Sequence, residues 1–239
     1  MSKDIQKENK CPSGFIKLKK FYSRKNFVYL VKSKKENQKK PYVLKVYRGV
    51  DKIKRKKNEE FFLVNLKKLS FNVPEILSSG KDYLLMEYLK GSTFLDILVG
   101  LEGNKNSADA PFFKALDFIN DFYKYTSRLK EKSYILKDMN LRNFIYSGNK
   151  IWRIDLEDSS SGCIEEDYGK FLAFILTYDP VFTVWKLSKV TALLDNISIK
   201  CGVDINSVIS EMKKELIPIE GRRGLNIPFE KIDKYFPDR

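Results

Sequence analysis

YILKDMNLRNFIYSGNKIWRIDLED, residues Tyr134–Asp158, carries two short runs of branched and aromatic residues, Phe144-Ile145-Tyr146 and Ile151-Trp152-Arg153-Ile154, on either side of Ser147-Gly148-Asn149-Lys150. That is the pattern of a β-hairpin. A turn centred on Asn149 would set Tyr146 opposite Trp152, Phe144 opposite Ile154, and Asn143 opposite Asp155 at the open end. Facing Cβ atoms lie about 5 Å apart. An amide oxygen and a carboxylate at that separation can converge on one hard cation, and Mg²⁺ accepts few protein oxygens and leaves its other positions to water and phosphates.

Asp138 precedes Asn143 in the spacing D-x4-N. One aspartate placed as a base, with an asparagine and a second aspartate on a metal, are the parts phosphoryl transfer needs: an oriented hydroxyl and neutralised phosphate charge. The bland alternative is that polar residues collect at hairpin ends and in loops. The remaining sequence bears on the choice.

With 239 residues the chain is long enough for one large or one two-lobed domain, and 43% hydrophobic with 13% aromatic residues makes it globular. A net charge of +14 predicts an anionic partner: a nucleotide, a phosphorylated substrate, RNA or an anionic membrane surface. There is no histidine, which excludes Ser-His and Cys-His nucleophile systems, the usual zinc hydrolase sites and imidazole bases. Cys11, Cys163 and Cys201 are far apart, without the spacing of a zinc site or a disulfide framework, and read as reduced thiols. The opening MSKDIQKENKCPSG lacks the apolar core of a signal peptide, and no run approaches the ~18 apolar residues of a membrane span. A monomer is expected, in the cytoplasm or peripheral to the inner membrane face.

Upstream, FIKLKKFYS, NFVYLVKS and PYVLKVYR alternate as three antiparallel strands, with KKENQKK as a charged hairpin tip. Val43, Lys45 and Tyr47 share one face of the third strand. A lysine there is costly to bury without an anionic partner, unless the strand lies at an edge and the lysine meets water. Helical period from about Ile53 to Leu69 forms a stripe of Phe62, Leu63, Leu66 and Leu69, and Glu59 aligns with it while Glu60 falls nearer the flank. Glu75-Ile76-Leu77 and Tyr83–Leu89 read as two more strands, closed by Gly91. Helices are expected near Thr93–Val99, from Pro111 onward, after Asp167 as N-cap, over Val181–Ile199 and over Ile205–Leu216 behind Asp204. GLEGNKNSADA and Ser159–Gly162 read as loops, and the tail from Gly221 as basic and irregular with room for one more helical turn.

In order, V-L-K with Lys45, the helix with Glu59, L-M-E-Y-L-K-G, D-x4-N and I-D-L resemble the protein-kinase-like superfamily over roughly Phe15–Ile175. The resemblance is nearest to its compact atypical members: RIO-like kinases, aminoglycoside and choline phosphotransferases, and lipopolysaccharide core heptose kinases. Arg142-Asn143-Phe144-Ile145 with Ile154-Asp155-Leu156 is most similar to the last group. It implies an α+β, two-lobed fold: an antiparallel β lobe with one helix, residues 1–89, that binds nucleotide, and a mostly helical catalytic lobe, residues 90–239.

The resemblance also implies roles. Lys45 would hold the α- and β-phosphates of ATP and pair with Glu59; Glu87 and Leu89 would offer main-chain groups to adenine beneath Met86. Asp138 would take the proton of the attacking hydroxyl, Asn143 and Asp155 would hold Mg²⁺ or Mn²⁺, and Asp167 would brace the catalytic loop. Asn26-Phe27-Val28-Tyr29 resembles the nucleotide loop of the small-molecule phosphotransferases, and with no glycine in Tyr22–Asn26, Arg24 or Lys25 would meet phosphate by charge. Leu136-Lys137 replaces the family's histidine and following residue, and Glu157 replaces a glycine, either adding a metal ligand or pointing to solvent. The short stretch between Asp155 and Asp167 suits a small acceptor better than a peptide. The implied activity is ATP-dependent transfer to a hydroxyl of a sugar or a phosphorylated glycolipid; an atypical RIO-like Ser/Thr protein kinase or ATPase and a nucleotide-binding pseudokinase are the alternatives.

Overall fold

The computed structural model describes residues 14–35, 40–104, 108–130 and 132–237. The opening segment, Cys11, and most of the KKENQKK tip therefore lie outside the described residues. The chain divides into two compact units, Met1–Lys90 and Gly91–Arg239.

In the first unit, strands β1 (Phe15–Phe21), β2 (Phe27–Ser33), β3 (Pro41–Val46), β4 (Ile76–Ser79) and β5 (Tyr83–Glu87) form one antiparallel sheet. Its order is β1-β2-β3-β5-β4, so β3 is the central strand. Alternation drives the burial: Tyr29 and Val31 on β2 join Leu44 on β3 and Leu85 on β5 in a core on one face. Burying side chains of this size contributes roughly 1.5–3 kcal/mol each. Helix α1 (Lys52–Lys68) lies against β4 and β5 and buries Phe62, Leu63 and Leu66, the stripe that the period marks.

The second unit begins with β6 (Ser92–Thr93) and α2 (Phe94–Gly103), whose start is fixed by a capping box between Thr93 and Asp96. Helix α3 (Ala110–Lys130) and strand β7 (Tyr134–Ile135) lead to a 3-10 turn at Leu141–Asn143 and the hairpin β8 (Phe144–Ser147) and β9 (Lys150–Arg153). Strand β10 (Ser160–Ser161) follows, then α4 (Ile164–Thr177), α5 (Val184–Cys201), α6 (Ile205–Arg223) and α7 (Phe229–Tyr235). The hairpin is seated by aromatic rings: Phe144 meets Phe171 of α4 at 5.8 Å, and Phe171 meets Phe94 of α2 at 5.6 Å. Helices α4 and α6 pack closely at Gly169, where a methyl group would sit 2.6 Å from the Met212 nitrogen.

Several expectations change. Ser159–Gly162 is not merely a loop, because Ser160 and Ser161 pair with Ile135 and Tyr134. The tail holds more helix than one turn, in the end of α6 and all of α7, with residues 224–228 irregular between them. Residues 100–103 of the expected flexible loop continue α2, Glu102 meets Lys186 at 2.7 Å, and Asp109 meets Lys189. The N-cap of α4 is Cys163, and Asp167 lies one turn inside that helix. Cys163 and Cys201 are free thiols. Among the described residues no helix is long and apolar enough to cross a membrane.

Candidate active site

In the first unit, Lys45 is 4% exposed on the central strand and Glu59 on α1 is 1% exposed. Their charged atoms are 2.6 Å apart. An edge lysine facing water is therefore ruled out: β3 is paired on both sides, so burial of the ammonium is offset by a carboxylate. Tyr47, one residue past the end of that strand, donates its hydroxyl to the same Glu59 Oε2. Glu60 turns away and meets Lys56 at 2.7 Å. The common face of Lys45 and Tyr47 was legible in the strand alternation; the convergence of both on one carboxylate was not.

Arg24 and Lys25 are exposed in the bends between β1 and β2, and Asn26 is buried there. The Asn26 amide donates to Ser23 Oγ at 3.2 Å, and its side-chain oxygen accepts from Arg55 at 3.0 Å, with Arg55 also donating to the Arg48 carbonyl. Asn26 thus anchors the loop to α1, and the two exposed cations extend from that anchor. Met86 is buried on β5, opposite Val43 of β3. The Glu87 amide donates to the Glu75 carbonyl at 2.9 Å, and Leu89 lies half-buried beyond the strand.

In the second unit, Asp138 sits in the segment between β7 and the 3-10 turn. Its Oδ1 accepts the Asn140 amide at 3.0 Å and its Oδ2 accepts the Asn143 side-chain amide at 3.0 Å. The hairpin register is one residue away from the expected one. Gly148 and Asn149 both have positive φ, 56° and 61°, which makes a two-residue turn closed by the Ser147–Lys150 pair. Tyr146 accordingly pairs with Ile151 and Phe144 with Arg153. The Asn143 carbonyl accepts the Ile154 amide at 3.0 Å, and Asp155 falls one residue past this pair with φ of 64°.

Arg153 reconnects what the register separates. It is fully buried, its guanidinium lies 4.5 Å from the centre of the Phe144 ring, and its Nη2 donates to the Asp138 carbonyl and, at 3.4 Å, to the Asp155 carbonyl. Sequence reasoning treated Arg153 as a strand residue only. The signal was its place two positions after Ile151, on the buried side of the strand.

Asp167 completes the loop. Its two oxygens accept the Leu136 amide at 2.6 Å and the Lys137 amide at 2.8 Å, holding Lys137 at a φ of 66°. Burial raises the Asp167 carboxyl to about 6, against the opposing effect of those two amides and of the Arg153 and Lys170 charges. For an acid whose pKa is higher folded than unfolded, the folded chain binds the extra proton between the two values. Stability from this group therefore falls as pH rises from about 4 to about 6. Chemical denaturation across that range should show a decline in the unmodified protein that is shallower in Asp167→Ala; equal slopes would contradict it.

The donor set suits a hard divalent cation. Asn143 gives an amide hydrogen to Asp138, which leaves its oxygen side for a cation. A Glu157 carboxylate oxygen lies within 4.8 Å of one from Asp155, and Glu157 is 5% exposed, so it does not point to solvent.

No family model matches the chain, and no curated protein matches it by sequence. Among solved structures it is similar to the kinase PK-1 of Cydia pomonella granulovirus, with TM-score 0.50 and 17% identity, covering 62% of this chain and 55% of that one. The chain thus spans about half the length of the viral kinase. It is also similar to the aminoglycoside phosphotransferase APH(2")-IIa, solved as a ternary complex with streptomycin and ATP, with TM-score 0.54 and 15% identity, covering 94% of this chain and 88% of that one. An antiparallel five-stranded sheet with one helix, followed by a mainly helical unit, matches both, and the chain has a protein-kinase-like α+β fold.

Proposed function

We propose that the chain is an ATP-dependent phosphotransferase that moves the γ-phosphoryl group to a hydroxyl of a sugar or glycolipid, with residues 1–89 binding nucleotide and residues 90–239 carrying the chemistry. The observation that supports this most is the Asp138–Asn143 hydrogen bond of 3.0 Å, in a loop braced by Asp167 and linked by Arg153 to the Asp155 segment. Two structural neighbours named as a kinase and as a phosphotransferase fit the same reading, and streptomycin beside ATP in the second fits a small acceptor.

In this reading Asp138 accepts the acceptor's proton as its oxygen bonds to the γ-phosphorus, and the bond from that phosphorus to the β–γ bridging oxygen breaks to release ADP. Lys45, held by Glu59, meets the α- and β-phosphates, and Arg24 and Lys25 add charge at the loop before β2. Met86, Glu87 and Leu89 frame adenine. Asn143 and Asp155 would hold Mg²⁺ or Mn²⁺, which neutralises phosphate charge when bound.

Thermal unfolding with ATP and Mg²⁺ tests the reading. Ligand at 100 times its dissociation constant stabilises a fold by about 2.7 kcal/mol. The unmodified protein should shift and Asp155→Ala should not; no shift in the unmodified protein with any divalent ion would overturn the proposal.

A further inference from the structure

Arg142 and Arg223 come from different elements of the second unit, the 3-10 turn and the end of α6, and both lie at the ring of Tyr178. Their guanidinium carbons are 5.4 Å and 4.6 Å from its centre. Arg142 Nη1 donates to the Tyr178 hydroxyl at 3.3 Å, and Arg223 Nη1 donates to the Thr177 carbonyl at 2.8 Å. Both side chains belong to exposed residues, and neither has a carboxylate within ion-pair distance among the described residues. Adjacent Arg222, by contrast, is paired with Glu215 at 2.8 Å.

Two like charges gathered at one ring repel, and the ring's quadrupole offsets only part of that cost. A dianion offsets more, and two guanidinium forks match phosphate oxygens in shape as well as charge.

The position relative to the base is also specific. Tyr178 donates its hydroxyl to Asn140 Oδ1 at 2.8 Å, and the Asn140 amide donates to Asp138 Oδ1 at 3.0 Å. Asn143 instead meets Asp138 Oδ2. The arginine pair is therefore connected to one oxygen of the base and the metal-ligand candidate to the other.

We propose that Arg142 and Arg223 form an anion subsite for a phosphomonoester that the acceptor carries besides the hydroxyl to be phosphorylated. This rests on the phosphotransferase reading for its role, though the binding itself does not. The acceptor is then already a phosphate ester, so a phosphorylating reaction must precede this one.

Calorimetric titration of the full chain with inorganic phosphate and with glucose 6-phosphate tests the subsite, alongside sedimentation with phosphatidylcholine vesicles with and without phosphatidic acid. Arg142→Gln and Arg223→Gln should each weaken phosphate binding about tenfold, as expected for loss of a charge-assisted hydrogen bond, and Arg222→Gln should not. Tighter binding of glucose 6-phosphate than of phosphatidate would assign a soluble ester, and the reverse a lipid headgroup. No phosphate binding, equal weakening by Arg222→Gln, or displacement of phosphate by ATP with Mg²⁺ would overturn the proposal. A chain that binds phosphate through these arginines yet shows no ATP-dependent shift would refute the phosphotransferase reading and leave the subsite standing.

Discussion

Asp138→Ala should lower phosphoryl transfer roughly 10³-fold, the range of a lost general base, while ATP with Mg²⁺ still stabilises the variant. Alanine is the cleaner change. An asparagine at 138 would turn an amide toward the Asn143 amide that now donates to Asp138 Oδ2 at 3.0 Å, and relieving that contact by rotating Asn143 would aim hydrogens where its oxygen is needed. With alanine, the Asn140 amide loses its acceptor, but Asp138 is only half-buried and water can replace the carboxylate. Release of phosphate from labelled ATP, with and without a sugar phosphate as acceptor, reads the effect. Turnover equal to that of the unmodified protein would remove Asp138 from the mechanism.

Lys45→Met should cost about 3–5 kcal/mol of stability, because it removes the ammonium that meets the buried Glu59 carboxylate at 2.6 Å. Glu59 is 1% exposed, and the tyrosine hydroxyl that also donates to it supplies a dipole where an ammonium stood. Changing both residues to methionine should recover much of that loss, since the buried carboxylate is gone, yet ATP binding should stay absent in both variants. Urea unfolding beside nucleotide titration separates the two effects. A single variant as stable as the unmodified protein would show that the pair contributes no net stability.

The sequence made some of this legible and hid the rest for identifiable reasons. Strand alternation exposed the sheet and the unusual place of Lys45, and helical period separated Glu59 from Glu60, because each residue's face follows from local geometry. Strand order is not local, so whether β3 was an edge or the centre could not be read from its own residues. The hairpin failed by one residue because Gly148 and Asn149 both adopt left-handed conformations, and a two-residue turn shifts every facing pair. Local pattern alone made Asp167 a cap, and only the family resemblance pointed to the loop it braces, because its partners, Leu136 and Lys137, are distant in sequence. Arg153 and the Tyr178 cluster were missed for the same reason: their meaning lies in carbonyls and rings brought together only by folding.

Arg153 bears on how this chain can change over time. It grips the main-chain carbonyls of Asp138 and Asp155 and touches neither carboxylate through a hydrogen bond in that grip. Those two contacts therefore do not depend on which side chains stand at the two positions, although the Asn140 and Asn143 amides do meet the Asp138 carboxylate. A lineage that lost either acid would keep these main-chain contacts. A guanidinium is also charged across the whole physiological range. The Arg153 contacts therefore do not titrate, and Asp167, whose carboxyl is raised to about 6, is the part of the frame that responds to acidity.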